Sequence, residues 1–572
     1  MAPVIYTSPY PSVPLYDRSL FTHLLSVDRK GFVGHWPGNY PAFTDAKSGA
    51  GITRAQLRAL ALSLAYGIKH HPTARANRGD VALVFSPNSL SWAPVLFGCF
   101  AAGVRATLAN SDYNSRELAY QYKDSGAYLI FTIAEKVPTV RQMFLETGVR
   151  DGEKRIVIMD SLAWAGGPGA STPTGLVGID ELLSLGSLTH EENFDGQGDE
   201  TTLMCYSSGT TGQPKGVETT HNNLTAEVDI VQAGAPDAHG RNQLAILPLY
   251  HIYGVALQLL RSLRAGLHVV IMARFDLIEY CANIQKYNIY LSMVVPPVLV
   301  ALARHPAVSK YDFSSLSIMM SGAAPLGADL VRQVKARLHG LGSKVFIMQG
   351  YGLTETSPVS HCYNPDHGEG DVGSIGPLLA NLEARLVDED GADAKAGKPG
   401  ELWIRGPTVM KGYLNKPEAT AGCMTPDGWF QTGDVAVRDA KTGYYTIVDR
   451  KKELIKYKGF QVPPAELESV LLSHPGVADA AVIGIYDEKE ATELPRAYIV
   501  PASAEKDTAA FEKGVAQWIR TKVAKHKYLR GGVVVIDAIP KSAAGKILRR
   551  QLRDRAQEEL KLSGGVPLKA KL

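Results

Sequence analysis

Short runs of β-branched and aromatic residues alternate with helix-length segments through the first three quarters of this chain, which limits the folds open to it. Val81–Phe85, Tyr128–Thr132, Arg155–Met159, Leu244–Leu247, His268–Met272, Leu291–Val295 and Val345–Met348 read as strands buried on both faces. Between such runs, Ser115–Lys123 and Gly327–Leu338 read as helices, and Ala93–Val104 is apolar enough for a buried one. Gly166 to Gly178 reads as a loop. This alternation predicts an α/β architecture, a large multi-sheet layered domain with largely parallel strands. Past the strand expected at Gly443–Arg450 the pattern restarts. It gives a helix at Pro464–Ser473, strands at Ala480–Ile485 and Ala497–Val500, and a helix at Phe511–Val523, a small α+β unit. At 572 residues the chain is too long for one core, and the expected domains are 1–449 and 450–572.

Composition excludes more than it identifies. With 45% apolar and 20% charged residues the chain is ordinary globular material, and a net charge of +3 gives no argument for nucleic acid. The cysteines Cys99, Cys205, Cys281, Cys362 and Cys423 form no CxxC pair and suit a reducing compartment; Cys205 reads as a small strand hydrophobe. No run is long enough to span a bilayer, and the first residues lack the pattern of a secretory signal. Ala570-Lys571-Leu572 is a conservative variant of the Ser-Lys-Leu address. It predicts a peroxisomal import receptor as partner and a peroxisomal location; if the match is coincidence in a basic tail, the location is cytoplasmic.

Chemistry concentrates first in Ser207 to Val217, SSGTTGQPKGV. The hydroxyls of Ser207, Ser208, Thr210 and Thr211, the Cβ-free Gly209 and Gly212, and the cation Lys215 make a loop whose N–H and O–H groups can close on phosphate oxygens. The spacing is not that of the Walker loop, and the ordered Pro-Lys-Gly ending sets it apart from a flexible linker. Further strings follow in order: LPLYHIYG (247–254), SGAAPLG (321–327), QGYGLTETSP (349–358), WFQTGDV (429–435), DRKKELIKYKGFQVPPAELE (449–468) and PKSAAGKILRR (540–550). Each has a plain reading alone: a packed core histidine, a strand-to-helix turn, a helix start capped by Thr354, a capping aspartate, a solvated basic face. A carboxylate in the Thr354-Glu355 turn is a hard oxygen ligand of the kind Mg²⁺ takes beside phosphates.

Taken together and in this order, the strings resemble the adenylate-forming superfamily of acyl- and aryl-CoA ligases, luciferases and peptide-synthetase adenylation domains. The wording is closest to the 4-coumarate–CoA ligase-like synthetases. The resemblance covers nearly the whole chain and implies ATP, Mg²⁺ and coenzyme A, with a carboxylic acid activated as an acyl-AMP and passed to the CoA thiol. It implies that Lys546 is the catalytic lysine, offsetting charge where a carboxylate meets the α-phosphate. Thr354 would donate to phosphate, Glu355 hold the metal, and His251 stand at the reacting groups as a pocket wall rather than a proton carrier. Gly322, Ala323, Ala324, Gln349, Gly350, Tyr351 and Gly352 would border the nucleotide, Tyr351 against adenine. Asp434 and Arg450 would take the ribose. Lys452 would be the hinge of a mobile C-terminal domain, Lys456 and Gln461 contacts to the adenylate, and Lys458-Gly459 the loop that enters for thioester formation.

The acid pocket would be walled by His251, Tyr253, Met320, Gly350, Val359 and Ser360. Plant 4-coumarate–CoA ligases usually carry lysine just before the SGAAPLG string; Met320 stands here instead and suggests an apolar-tailed acid, aromatic or medium-chain aliphatic. Three alternatives stay open at this point: an enzyme loading a carrier protein, a luciferase-like monooxygenase, and a catalytically silent nucleotide or acyl binder.

Overall fold

The computed structural model describes residues 3–192, 196–207, 213–363, 373–458, 460–487, 490, 492–505, 507–542 and 545–562. Ser208, Gly209, Thr210, Thr211, Gly212, Gly459 and the tripeptide Ala570-Lys571-Leu572 lie outside these residues.

Two eight-stranded sheets carry most of the first 420 residues. In one, Val177–Gly178, Ile156–Ile158, Leu129–Thr132, Val81–Phe85, Arg105–Ala109 and Thr201–Ser207 run parallel, and Lys215–Thr220 and Gly412–Tyr413 close the edge antiparallel. In the other, Phe346–Gly352, Ile318–Ser321, Ile289–Val294, Asn242–Ala245, His268–Ile271 and Pro41–Asp45 are parallel, flanked by antiparallel Val359–Cys362 and Gly51–Thr53. Helices Arg54–His70, Trp92–Ala101 and His221–Ala233 share one hydrophobic core with side chains from both sheets, so they form the layer between them. Every residue of Trp92–Ala101 is buried, as its all-round apolar sequence requires. A five-stranded antiparallel sheet (Tyr6–Thr7, Glu383–Val387, Gly400–Arg405, Phe430–Arg438, Tyr445–Arg450) completes this part.

After Arg450 come a short hairpin, Ile455–Tyr457 with Phe460–Val462, and a three-stranded sheet, Val477–Asp487, Thr492–Pro501 and Val533–Val535. Helices Pro464–Leu472 and Thr508–Arg520 share one core with this sheet, and Arg549–Leu562 packs a second one through Leu552 and Ala556. The mixed α/β class and the small α+β C-terminal part stand as expected. One expected strand moves. The Leu244–Leu247 run pairs only as Asn242–Ala245, because the N–H groups of Ile246 and Leu247 both donate to the Gln258 side-chain oxygen at 3.0 and 3.2 Å. The expected loop at Gly166–Gly178 ends in the two-residue strand Val177–Gly178.

Candidate active site

Antiparallel pairing of Phe430–Arg438 with Tyr445–Arg450 sets Asp434 directly opposite Arg450. Their side chains meet, Arg450 Nε lying 3.3 Å from Asp434 Oδ1, while the Tyr351 hydroxyl donates to Asp434 Oδ2 at 2.6 Å. Burial raises the Asp434 carboxyl above its ordinary range, against the pull of Arg450, Tyr351 and Lys546. Strand pairing joins Asp434 to Arg450, whereas Tyr351 comes from a different sheet and lies 83 positions from Asp434 in the chain.

Lys546 arrives from the C-terminal part. Its segment is tied by the Ser542 N–H to the Lys546 carbonyl at 2.8 Å, the Gly545 N–H to the Ser542 carbonyl at 2.8 Å and a bridge between Lys541 and Ile547. Gly545 has φ +78° and sits against Val295, where a Cβ would lie 3.3 Å from the valine side chain; glycine permits both the left-handed turn and the close approach. Burial draws the Lys546 amine down to about 8, helped by the Arg450 guanidinium and opposed by the carboxylates of Glu453, Asp434 and Glu355. The amine therefore stands within electrostatic reach of the Asp434–Arg450 pair.

A cleft of about 470 Å³ opens between the two parts of the chain. Ala323, Ala324, Gln349, Gly350, Tyr351 and Gly352 line it from one side, Asp434 and Arg450 from a second, Lys546 from a third. Ala323 holds φ +67°, a costly backbone for a residue with a Cβ, at the edge of this cleft. Gly322 admits the Tyr253 ring, which a Cβ would meet at 3.1 Å.

Thr354 and Glu355 lie in the short 3-10 turn Thr354–Thr356, so Thr354 is within the turn and Leu353 holds the N-cap position, its N–H donating to Thr356 Oγ1 at 3.0 Å. Glu355 is buried, its Oε1 accepts the Tyr413 hydroxyl at 2.8 Å, and the same tyrosine ring lies 4.5 Å under the Lys215 ammonium. Ser207 and Lys215 pair as opposite residues of the antiparallel strands Thr201–Ser207 and Lys215–Thr220.

On the expected acid side, the Tyr253 hydroxyl donates to the Met320 carbonyl at 3.0 Å, and Tyr253, Met320, Val359 and Ser360 are all buried. The Ser360 hydroxyl is engaged with His361 Nδ1 at 3.0 Å. His251 Nδ1 accepts the Tyr253 N–H at 3.2 Å. Burial, with Lys546 nearby, lowers that imidazole to about 4, so it is neutral near pH 7.

The remaining residues stand apart. Lys452, Lys456, Lys458 and Gln461 are exposed and do not line the cleft. Lys458 pairs with Glu490 at 2.9 Å, and Gln461 bonds Glu389. Sequence reasoning singled out neither Glu453 nor Tyr413. Glu453 lines the cleft, ion-paired with Arg549 at 2.9 Å, and the Arg549 and Arg450 charges hold its carboxyl low despite burial. Glu453 sits inside the charged DRKKE string and was legible as part of it; Tyr413 belongs to no string that sequence reading singled out.

A family model described as AMP-binding enzyme matches residues 32–414, and one described as AMP-binding enzyme C-terminal domain matches 466–546. A probable 4-coumarate–CoA ligase of Dictyostelium discoideum is 38% identical over 491 residues, 83% of this chain and 86% of that protein. A 4-coumarate–CoA ligase of Narcissus pseudonarcissus is 36% identical over 533 residues, 92% of each. The solved structure of the o-succinylbenzoate CoA synthetase of Bacillus subtilis, in complex with its acyl-adenylate intermediate, gives a TM-score of 0.74 at 26% identity, covering 94% of this chain and 98% of that one. With both of its segments matched by family models, the chain belongs to the adenylate-forming AMP-binding enzymes, in the 4-coumarate–CoA ligase-like group of AMP-forming acid–CoA ligases.

Proposed function

We propose that this ligase activates an aromatic acid of hydroxycinnamate or benzoate type, or a medium-chain aliphatic acid, and that Lys546 is its catalytic cation. The observation that carries the reading is one cleft shared by the Lys546 segment and the Asp434–Arg450 pair. An acid oxygen attacks the α-phosphorus of ATP, the bond to the bridging oxygen breaks, and pyrophosphate leaves. Two anions must approach, and a positioned ammonium lowers that barrier as charge builds on the shared oxygens. Asp434 accepts from the ribose hydroxyls and Arg450 holds the aspartate in place. Tyr351 lies against the base.

Glu355 suits Mg²⁺: it is a buried carboxylate and, among the described residues, it has no ion-pair partner. Glu355 would hold the ion, which when bound neutralises phosphate charge, while Lys215 and the hydroxyls from Ser207 onward would hold the phosphates themselves. The buried, largely apolar Tyr253, Met320 and Val359 support an apolar body for the acid.

For the second step we take 1–449 and 450–572 as the moving bodies, with the hinge at Lys452. The exposed Lys456, Lys458 and Gln461 support this, since residues outside the cleft reach a bound adenylate only if the C-terminal part turns. The CoA thiolate then attacks the acyl carbon, the acyl–phosphate bond breaks and AMP leaves. The test is thioester and pyrophosphate formation across benzoates, hydroxycinnamates and fatty acids of graded length. A thioester from one class confirms it, and pyrophosphate without thioester overturns the CoA step.

A further inference from the structure

The strand Gly412–Tyr413 closes the edge of one large sheet, beside Lys215–Thr220. Its register sets Tyr413 opposite Val217, so Lys215, two positions along the same face, is a diagonal neighbour. Flanking bonds fix the pairing: the Lys411 N–H donates to the Glu218 carbonyl at 3.0 Å and the Leu414 N–H to the Gly216 carbonyl at 2.9 Å. One tyrosine thereby reaches two charged groups. Its hydroxyl donates to Glu355 Oε1 at 2.8 Å, and its ring centre lies 4.5 Å from the Lys215 ammonium.

A structural carboxylate in this chain looks different. Glu468, just as buried, is paired through both oxygens with the Arg549 guanidinium. Glu355 has no such cation, and among the described residues Tyr413 is the one hydrogen-bond partner of its side chain. A carboxylate withdrawn from water and given a single neutral donor keeps most of its charge uncompensated, as suits a group that receives a cation. A phenol is the donor that fits there. It orients one oxygen without a positive charge to repel a metal ion, and its π face attracts an ammonium.

The segment around Tyr413 is anchored on all sides. The Met410 N–H donates to the Glu355 carbonyl at 2.9 Å, so the segment grips Glu355 by main chain as well as side chain. The Tyr413 N–H donates to Thr420 Oγ1 at 2.9 Å. Lys416 pairs at 2.6 Å with Asp124 on the helix Ser115–Ser125, and from that helix the Tyr120 hydroxyl donates at 2.8 Å to the carbonyl of Pro214, the residue before Lys215.

We infer that Tyr413 is a positioning residue for adenylation: its hydroxyl orients the Glu355 carboxylate for Mg²⁺, and its ring face holds the Lys215 ammonium in place for the phosphates. This role rests on the reading of Glu355 as the metal ligand and Lys215 as a phosphate cation, and it goes beyond that reading by naming what sets the two in register.

The experiment is calorimetry of ATP binding to the full chain, in EDTA and in excess Mg²⁺, with no acid present. We expect Mg²⁺ to tighten ATP binding to the wild type by about twentyfold or more. In Tyr413→Phe, which loses one oxygen and keeps the ring, that tightening drops to about threefold, while Kd in EDTA stays within about twofold. Glu355→Gln shows the same loss, and adding Tyr413→Phe to it costs nothing further. Tyr413→Leu also loses the ring and weakens binding in EDTA by about fivefold. Full tightening in Tyr413→Phe overturns the inference, as do equal losses in EDTA and Mg²⁺, additive losses in the double variant, or a Tyr413→Phe chain that does not fold, each of which marks the hydroxyl as merely structural. A Tyr413→Leu chain that binds in EDTA like Tyr413→Phe overturns the ring's part. If Glu355→Gln keeps the wild-type tightening, the metal-ligand reading falls and this inference with it.

Discussion

At the residue scale the site is a balance of few charges. Lys546→Ala is expected to slow adenylation by about a hundred- to a thousandfold while ATP still binds, as pyrophosphate exchange and calorimetry would show. The depressed Lys546 amine also sets a pH dependence. Below about 8 it carries its proton and opposes phosphate charge; above that it is neutral. kcat/KM for ATP, which reports the free enzyme, should therefore fall as pH rises through about 8, and Lys546→Arg should abolish that limb. Asp434→Ala removes the acceptor of both Tyr351 and Arg450, so KM for ATP should rise by about tenfold or more, measurable in steady-state kinetics. Lys546, Asp434 and Arg450 were legible because each lies in a string whose types match a chemical need. Tyr413 was not: its value comes from touching Glu355, 58 positions away, and nothing local marks it.

At the scale of elements, periodicity located the strands well because buried parallel strands are apolar on both faces. Val81–Phe85 matches to the residue. The miss at Leu244–Leu247 has a tertiary cause, since the Gln258 side chain stands in for a neighbouring strand. Close packing is equally invisible in one dimension. Gly67 in the helix Arg54–His70 faces the Leu182 backbone, and a Cβ there would lie 2.4 Å from a carbonyl oxygen, where nothing flexible can yield. Gly67→Ala, a favourable change by helix propensity alone, should instead destabilise by about 1–3 kcal/mol, read as a lower urea midpoint. The π-helix at Val255–Leu260 was likewise unforeseen, because its sequence reads as an ordinary buried helix.

At the scale of the whole molecule, the proposed turn of the C-terminal part makes the arrangement of the two parts the choice between the half-reactions. Arg304, on the helix Pro296–Arg304, donates to the Val477 and Leu472 carbonyls at 2.7 and 3.0 Å, bracing the C-terminal part with Lys546 inward. Arg304→Ala should slow adenylation about fivefold, while thioester formation from preformed acyl-adenylate stays within about twofold; assaying the two half-reactions separately checks this. Lys546 adds a proton term. Its amine binds a proton less readily when buried than in water, so the inward arrangement is weakest below about pH 8 and gains as pH rises toward the ordinary lysine range. The amino-acid sequence alone determined the layered α/β class, the order of the chemical strings and the restart of the pattern past Gly443–Arg450, because periodicity and local residue chemistry act over a few positions. Only the tertiary structure decided that Asp434 faces Arg450 and that the half-buried Lys546 stands within electrostatic reach of both. Those facts depend on burial and on contacts between residues tens to hundreds of positions apart, which no local pattern encodes.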